Sequence, residues 1–342
     1  MNPQKSYRFT FVILILSLIA IWFLNISLGS VSIPFKDIFS SIFEGTASKD
    51  TWHTIVINVR IPKAIAAIMV GAGLSVSGLL MQTLFRNPLA GPFVLGISSG
   101  ASLGVALLIL GTSLFGGFAL LSVSNIGMAI AASLGSFLVL SAVLIAANKI
   151  RNTMSILIIG LMFGSLTSAI ISVLAYFSSA EQLQQFIFWG FGSLGNLSWN
   201  ELAVFGSLFF VGIVFVLFII KPLNSMLLGE NYAKSMGVNL KRIRNIILII
   251  TSILTGVITA FSGPIAFVGL AVPHLTKLIF NTSDHRVLIP AVLICGAILM
   301  LIADIIAQLP LSEYTLPINA ITSLFGAPIV IWLLVRKRKM YV

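Results

Sequence analysis

Residues 154–177 read MSILIIGLMFGSLTSAIISVLAYF, an apolar run without a charged side chain. A helix needs about 20 mostly apolar residues to cross the hydrocarbon core of a bilayer. This stretch therefore predicts a transmembrane helix. Similar runs recur along the chain and together predict about ten spans, at residues 9–29, 64–84, 93–111, 126–147, 154–177, 202–220, 246–262, 265–281, 287–308 and 317–335.

The composition of the whole chain agrees with this pattern. Of its 342 residues, 58% are hydrophobic and only 8% are charged, whereas a soluble domain carries roughly 25% charged residues. A soluble enzyme, a nucleic-acid binder and a disordered chain are excluded as the main interpretation, because too few charges remain to cover a water-exposed surface. We predict an all-α, polytopic membrane protein with a single transmembrane domain over residues 1–342.

The basic residues predict how the chain is oriented. If the N-terminus lies in the cytoplasm and ten spans alternate, 16 of the 20 Lys and Arg residues lie inside. Outside are only Lys36, Lys49, Arg60 and Lys63. This bias follows the positive-inside rule. We expect a multi-pass protein of the cytoplasmic (inner) membrane with both termini in the cytoplasm.

Asp304 is the acidic residue that lies deepest in a predicted span. A charged group inside a membrane is costly and suggests function by default. A proton or ion relay would need acidic or His partners at comparable depth, and the sequence offers none. We therefore favour a hydrogen-bonded staple between helices near the outer end. This scarcity weakens the alternative function of an ion- or proton-coupled secondary transporter, which stays open.

The sequence contains no pattern that indicates an enzyme. The phosphate-binding motif G-x-x-x-x-G-K-[ST] is absent, as are H-E-x-x-H, C-x-x-C and G-x-S-x-G. His53, His274 and His285 lie far apart in the sequence. We expect no catalytic residue, no metal site and no cofactor.

Two further patterns leave their meaning open. Small residues recur at helical spacing in 71–78, 96–104, 160–164 and 263–269, which suits either tight helix packing or a wide pathway. The internal loop 223–238 reads LNSMLLGENYAKSMGV, with large apolar side chains near a helical period between Gly229 and Gly237. It fits an amphipathic helix on the membrane surface or an element that docks into a cytoplasmic partner.

A longer set of motifs runs through the chain in a fixed order. It comprises RIPK at 60–63, RNPLA at 86–90, LGE at 228–230, GPIAFVGL at 263–270, PH at 273–274, DHR at 284–286, AD at 303–304 and FGAP at 325–328. The set resembles the permease subunits of binding-protein-dependent ABC importers for iron–siderophore chelates, haem and vitamin B12, the FecCD family. The similarity extends from about residue 10 to 336. The residues of these motifs that we single out as structural are Arg86, Asn87, Pro88, Gly263, Pro264, Pro273, His274 and Asp304.

The resemblance implies the type II ABC importer permease fold, with about ten helices per subunit. It implies a dimer, expected to be a homodimer, with the pathway at the interface. Two cytoplasmic ABC ATPase subunits would hydrolyse ATP, and an extracytoplasmic substrate-binding protein would deliver a metal chelate or corrinoid. Transport would proceed by ATP-driven alternating access, without chemical change to the substrate. No nucleic acid partner is expected.

The resemblance also assigns residues to roles. Residues 221–244 would form a coupling-helix loop that meets the ATPase through Leu227, Leu228, Gly229, Glu230, Ala233 and Gly237. Arg60 and Lys63 would dock the binding protein, or alternatively anchor the helix at the membrane surface. Asn152 and Thr153 are candidates for a cytoplasmic gate. Gln308 departs from the pattern, because many relatives carry Arg there.

Overall fold

The computed structural model describes residues 7–111, 124–150, 153–195, 197–309, 312 and 314–337. All regular secondary structure in these ranges is helical, which confirms the predicted all-α class. The helices are α1 Arg8–Ser27, α2 Phe35–Phe43, α3 Asp50–Ile55, α4 Ile61–Phe85, α5 Ile97–Ile109, α6 Asn125–Lys149, α7 Thr153–Tyr176, α8 Ala180–Gly190, α9 Trp199–Phe218, α10 Ile220–Leu227, α11 Glu230–Ser235, α12 Leu240–Ser262, α13 Val268–Phe280, α14 His285–Ala307 and α15 Ile318–Lys337.

Seven of the described helices are long and apolar enough to cross a membrane. They are α1, the continuous stretch Asp50–Phe85, α6, α7, α9, α12 and α14. In that continuous stretch, the π-helical turn Val56–Arg60 joins α3 to α4. Shorter apolar helices occupy Ile97–Ile109, Val268–Phe280 and Ile318–Trp332. The long and short helices together coincide with the ten predicted runs.

The predicted runs 93–111 and 265–281 are longer than the helices they contain. Each of these helices has 13 residues, which at 1.5 Å per residue is about 20 Å and less than the hydrocarbon thickness. The first is preceded by the 3-10 turn Pro92–Leu95 and by Gly96 at φ 71°. The second begins only after Phe267 at φ 65°. Local turns therefore shorten both helices, a feature that the apolar composition does not reveal.

Helix α4 forms the centre of the helical packing. It packs against α12, α13 and α14, and 89% of its apolar window is buried inside the chain. By contrast, only 11% of the window in α1 and 17% of that in α7 are buried. A helix that is apolar all round and buried all round belongs to the interior of a bundle. The other helices are arranged around this one.

Small residues allow these helices to approach closely. A Cβ atom added to Gly78 would lie 1.7 Å from the carbonyl oxygen of Gly269, and one added to Gly71 would lie 2.2 Å from that of Gly296. On Gly104 it would lie 2.0 Å from the carbonyl oxygen of Ala131. Backbones this close leave no space for a larger side chain. For these positions the interpretation as tight packing is confirmed.

Candidate functional site

The loop between α9 and α12 folds into the two short helices α10 and α11. Gly229 lies between them at φ 117°, and Gly237 follows α11 at φ 82°. Glycine adopts such positive φ values without the steric cost of a Cβ atom. The two glycines of the predicted coupling motif therefore set the bounds of α11, and the chain then enters α12 with the Asn239 side chain accepting a hydrogen bond from the Arg242 amide.

The two short helices bury one face and expose the other. Leu223, Met226 and Ala233 are buried against the bundle. Four large side chains point outward with 47% to 65% of their surface exposed: Leu227, Leu228, Tyr232 and Met236. We call these four residues the apolar ridge. Contiguous exposed apolar residues of this kind mark sites that meet a partner or a membrane.

A polar network holds α10 to the bundle, and we call its members Thr83, Asn224, Asp284 and His285 the polar clasp. The Asn224 amide donates to Oδ1 of Asp284 at 2.6 Å. Its own Oδ1 accepts from the backbone amide of His285 at 2.9 Å and lies 2.8 Å from Nδ1 of that ring. On the far side, Nε2 of His285 lies 2.9 Å from Oγ1 of Thr83. The clasp therefore links α10, α14 and α4.

Asp284 is held in its ionised form at neutral pH. Burial raises the pKa of this carboxyl. Hydrogen bonds from the Arg286 backbone amide and the Asn224 side-chain amide lower the pKa, and together with nearby positive charges they outweigh the effect of burial. The net result is a pKa below the ordinary value. The carboxylate thus remains an acceptor for both donors over the neutral range.

The motif residues Arg86, Asn87 and Pro88 lie between the end of α4 and this loop. Arg86 adopts the left-handed conformation at φ 47° and ends α4. Its Nη2 donates to the Met226 carbonyl at 3.0 Å. Oδ1 of Asn87 accepts from the Leu89 amide at 2.9 Å and closes the turn that contains Pro88. The central helix and the α9–α12 loop are therefore joined by a charged hydrogen bond.

Arg60, a predicted docking residue, is turned inward. Only 8% of its surface is exposed. Nη1 donates to the carbonyls of Ile26 at 2.7 Å and Ser27 at 3.0 Å, and Nη2 donates to that of Val31. These carbonyls lie at the end of α1 and just after it, where helix geometry leaves acceptors without partners. In this conformation Arg60 caps α1.

Lys63 and Asp304 form an ion pair across helices α4 and α14. The Lys63 ammonium lies 3.1 Å from Oδ1 of Asp304, with side-chain exposures of 20% and 3%. Oδ2 accepts from the amides of Asn25 at 2.9 Å and Gln308 at 2.6 Å. We call Asn25, Lys63, Asp304 and Gln308 the Asp304 cluster. The predicted staple between helices is confirmed, and Gln308 supplies one of its hydrogen bonds.

The other predicted residues lie in separate parts of the fold. Gly263 ends α12 at φ 71°, where an added Cβ atom would lie 2.8 Å from the Trp189 carbonyl oxygen. Pro264 follows it in a segment without regular secondary structure, and Pro273 and His274 lie within α13. Thr153 is the first residue of α7, and Asn152 lies outside the described residues.

Three residues of these polar networks were not predicted from the sequence: Asn25, Thr83 and Asn224. An Asn within the first apolar run is a signal that could have identified Asn25, because a polar side chain in a span needs a partner. Thr83 and Asn224 carry no comparable local signal. In the described part of the chain, no group of three or more His, Cys, Asp and Glu residues could hold a metal ion.

Comparison with known proteins places this architecture in a family. A model of the FecCD transport family matches residues 16–336. The hemin transport system permease protein HmuU of Yersinia pestis is 36% identical over 342 residues, which cover 99% of each chain. The vitamin B12 import system permease protein BtuC of Klebsiella pneumoniae is 39% identical over 281 residues, which cover 82% of each chain.

Solved structures share the fold. One described as an inward-facing conformation of a metal-chelate type ABC transporter has a TM-score of 0.83 at 30% identity, covering 97% of this chain and 100% of the other. PsaBC from Streptococcus pneumoniae in complex with Fab, at 16% identity and a TM-score of 0.50, covers 80% of this chain and 90% of its own and is similar in fold alone. From its sequence and its structure alike, this chain belongs to the FecCD transport family.

Proposed function

We propose that this chain is the membrane-spanning permease subunit of an ABC importer for an iron–siderophore chelate, haem or vitamin B12. Two similar proteins are described as hemin and vitamin B12 permeases, which supports this range of substrates. The single observation that carries the proposal is the exposed apolar ridge on a loop that the polar clasp ties to helices α4 and α14. Transport proceeds by ATP-driven alternating access, a shift between outward-open and inward-open states.

The ridge is the proposed contact with the ATPase. Residues 221–244 form the coupling-helix loop of a single transmembrane domain, and two cytoplasmic ABC ATPase subunits bind to a homodimer of permeases. Leu227, Leu228 and Glu230 are exposed and available to the ATPase. Gly229, Ala233 and Gly237 shape the element: two adopt positive φ and the third is fully buried. Motion of the ATPase then reaches α4 through Arg86 and Thr83.

On the opposite side, an extracytoplasmic binding protein delivers the substrate. Of the two basic residues assigned to docking, Lys63 keeps one fifth of its side chain exposed. The Arg60 guanidinium instead donates hydrogen bonds to carbonyls at the end of α1. Lys63 is therefore the better placed to meet an acidic residue of the binding protein, and such pairs at the edge of an interface mainly set association rate. We also propose that Asn152 and Thr153 form a cytoplasmic gate. Both termini of the chain lie in the cytoplasm in this proposal.

Uptake by proteoliposomes tests the proposal. The permease is reconstituted with its ATPase inside the vesicles and the loaded binding protein outside, with ATP present or replaced by a non-hydrolysable analogue. The expected result is accumulation of the chelate only with hydrolysable ATP. Equal uptake driven by a pH gradient without the ATPase would instead establish the secondary transporter.

A further inference from the structure

A pocket lies between the coupling loop and the end of α6, and its basic residues have no assigned role in transport. Its volume is about 490 Å³, and it opens between the end of α6, the start of α12 and the helix α11. Four basic side chains line it: Lys149, Lys234, Lys241 and Arg244. One acidic side chain, Glu230, lies on the same wall. The pocket therefore has a net excess of three positive charges.

None of these cations forms a close ion pair within the described residues, although Glu230 attracts the Arg244 guanidinium at longer range. The ion pair identified within the described ranges is Lys63–Asp304, so none of the four cations forms one within 4 Å. Arg244 is fixed in place, since its Nη2 donates to the Ala147 carbonyl at 2.7 Å and its Nη1 to that of Ile150 at 3.2 Å. Lys149, Lys234 and Lys241 are exposed and free to converge on a ligand. Clustered cations repel one another, and an anion in the pocket relieves this repulsion.

The position of the pocket indicates where the anion comes from. Helices α6 and α12 are both long enough to span a membrane, and the pocket lies where α6 ends at Lys149 and α12 begins at Leu240. The ends of membrane-spanning helices lie at the level of the lipid headgroups. Basic pockets between helices at this level bind the headgroups of anionic lipids.

We propose that this pocket binds the headgroup of an anionic phospholipid, with its phosphate among Lys149, Lys234, Lys241 and Arg244. The bound headgroup bridges α11 to α6 and α12, and so supports the coupling loop in addition to the polar clasp. The site itself does not rest on the proposed function, because binding is measured without ATPase, binding protein or transport. Only the placement of this site in the cytoplasmic leaflet depends on the proposed orientation of the chain in the membrane.

The test compares two variants with equal loss of charge. The pocket variant carries Lys149→Gln, Lys234→Gln and Lys241→Gln. The control variant carries Lys221→Gln, Arg242→Gln and Arg286→Gln, three exposed basic residues that do not line the pocket. Each permease is titrated with phosphatidylglycerol in phosphatidylcholine nanodiscs, and retained phosphatidylglycerol is counted by native mass spectrometry.

Wild type and control are expected to retain one phosphatidylglycerol per chain, with the pocket variant binding it at least about tenfold more weakly, as expected for removal of several basic contacts. Equal retention by all three proteins would overturn the proposal, as would equal losses in both variants, which would indicate general surface attraction. In a second experiment, the proteins are melted in pure phosphatidylcholine nanodiscs with millimolar inorganic phosphate. If phosphate stabilises the wild type but not the pocket variant, the site binds soluble phosphate and the proposal of a lipid headgroup is refuted. If the triple variant does not fold, Lys149→Gln with Lys234→Gln replaces it.

Discussion

The Arg86 guanidinium donates to the backbone carbonyl of Met226 at 3.0 Å, across 140 positions of the chain. Arg86 ends the buried central helix α4, and Met226 lies in α10 next to the apolar ridge. A charged hydrogen bond thus joins the interior of the bundle to the loop that we assign to the ATPase. Any movement imposed on α10 acts directly on the end of α4.

Replacing Arg86 tests this connection. Arg86→Ala should loosen the α9–α12 loop, since a hydrogen bond to a charged group contributes about 1.5–3 kcal/mol. Hydrogen exchange over residues 223–236 should accelerate at least about tenfold, because 1.4 kcal/mol corresponds to a factor of ten. Lys221→Ala, on the exposed surface of α10, should leave exchange unchanged. Identical protection in both variants would show that the bond does not hold the loop.

The ridge offers a second test, at the level of partner binding. Leu228→Asp places a charge on the most exposed residue of the ridge, which is 65% exposed and lies outside the buried core. The permease should still fold and insert, while ATPase binding should fall at least about tenfold if Leu228 lies at the centre of the interface. Glu44→Asp, on an exposed segment remote from the loop, serves as the control. Wild-type capture of the ATPase by Leu228→Asp would remove the ridge from the interface.

The Asp304 cluster predicts a loss of stability. Asp304→Ala leaves the Lys63 ammonium without its partner and the Asn25 amide without one of its acceptors. Breaking a buried pair from one side costs about 3–5 kcal/mol, and we expect the lower end because Lys63 remains partly exposed. The melting temperature in detergent should fall clearly. The double variant Lys63→Met with Asp304→Leu should recover most of that loss, and a double variant as unstable as Asp304→Ala would contradict the pairing.

Helix packing gives a matched pair of glycine substitutions. Gly78→Ala adds a Cβ atom 1.7 Å from the Gly269 carbonyl oxygen, a backbone atom that cannot rotate away. Overpacking costs about 1–3 kcal/mol or more, which exceeds the roughly 1 kcal/mol gained in helix propensity. Gly206→Ala meets only the Met69 sulfur at 3.7 Å, so it should keep that gain. The first variant should melt below wild type and the second at or above it.

The sequence predicted the helices well, because a membrane leaves little freedom. Backbone groups in lipid must be satisfied within a helix, so long apolar runs such as 154–177 can form only spans. The lengths of α5 and α13 could not be predicted from the apolar runs alone. They depend on turns at Gly96 and Phe267, and Phe267 adopts a positive φ that is uncommon for a bulky residue.

The partners of the polar residues could not be predicted from the sequence. Asn224 and Asp284 are 60 positions apart, and Asn25 and Asp304 are 279 apart. Such pairings follow from how the helices are arranged, and no local pattern records this arrangement. Arg60 illustrates the point, since its motif suggested an exposed contact and its burial at the end of α1 became visible only in the fold.

The most direct test of the central claim is chelate uptake into proteoliposomes that contain the permease, with and without the ATPase and ATP inside. We expect accumulation only when both are present, and a strong reduction when the permease carries Leu228→Asp. Full accumulation by the permease alone, driven by an ion gradient and unaffected by that substitution, would contradict it.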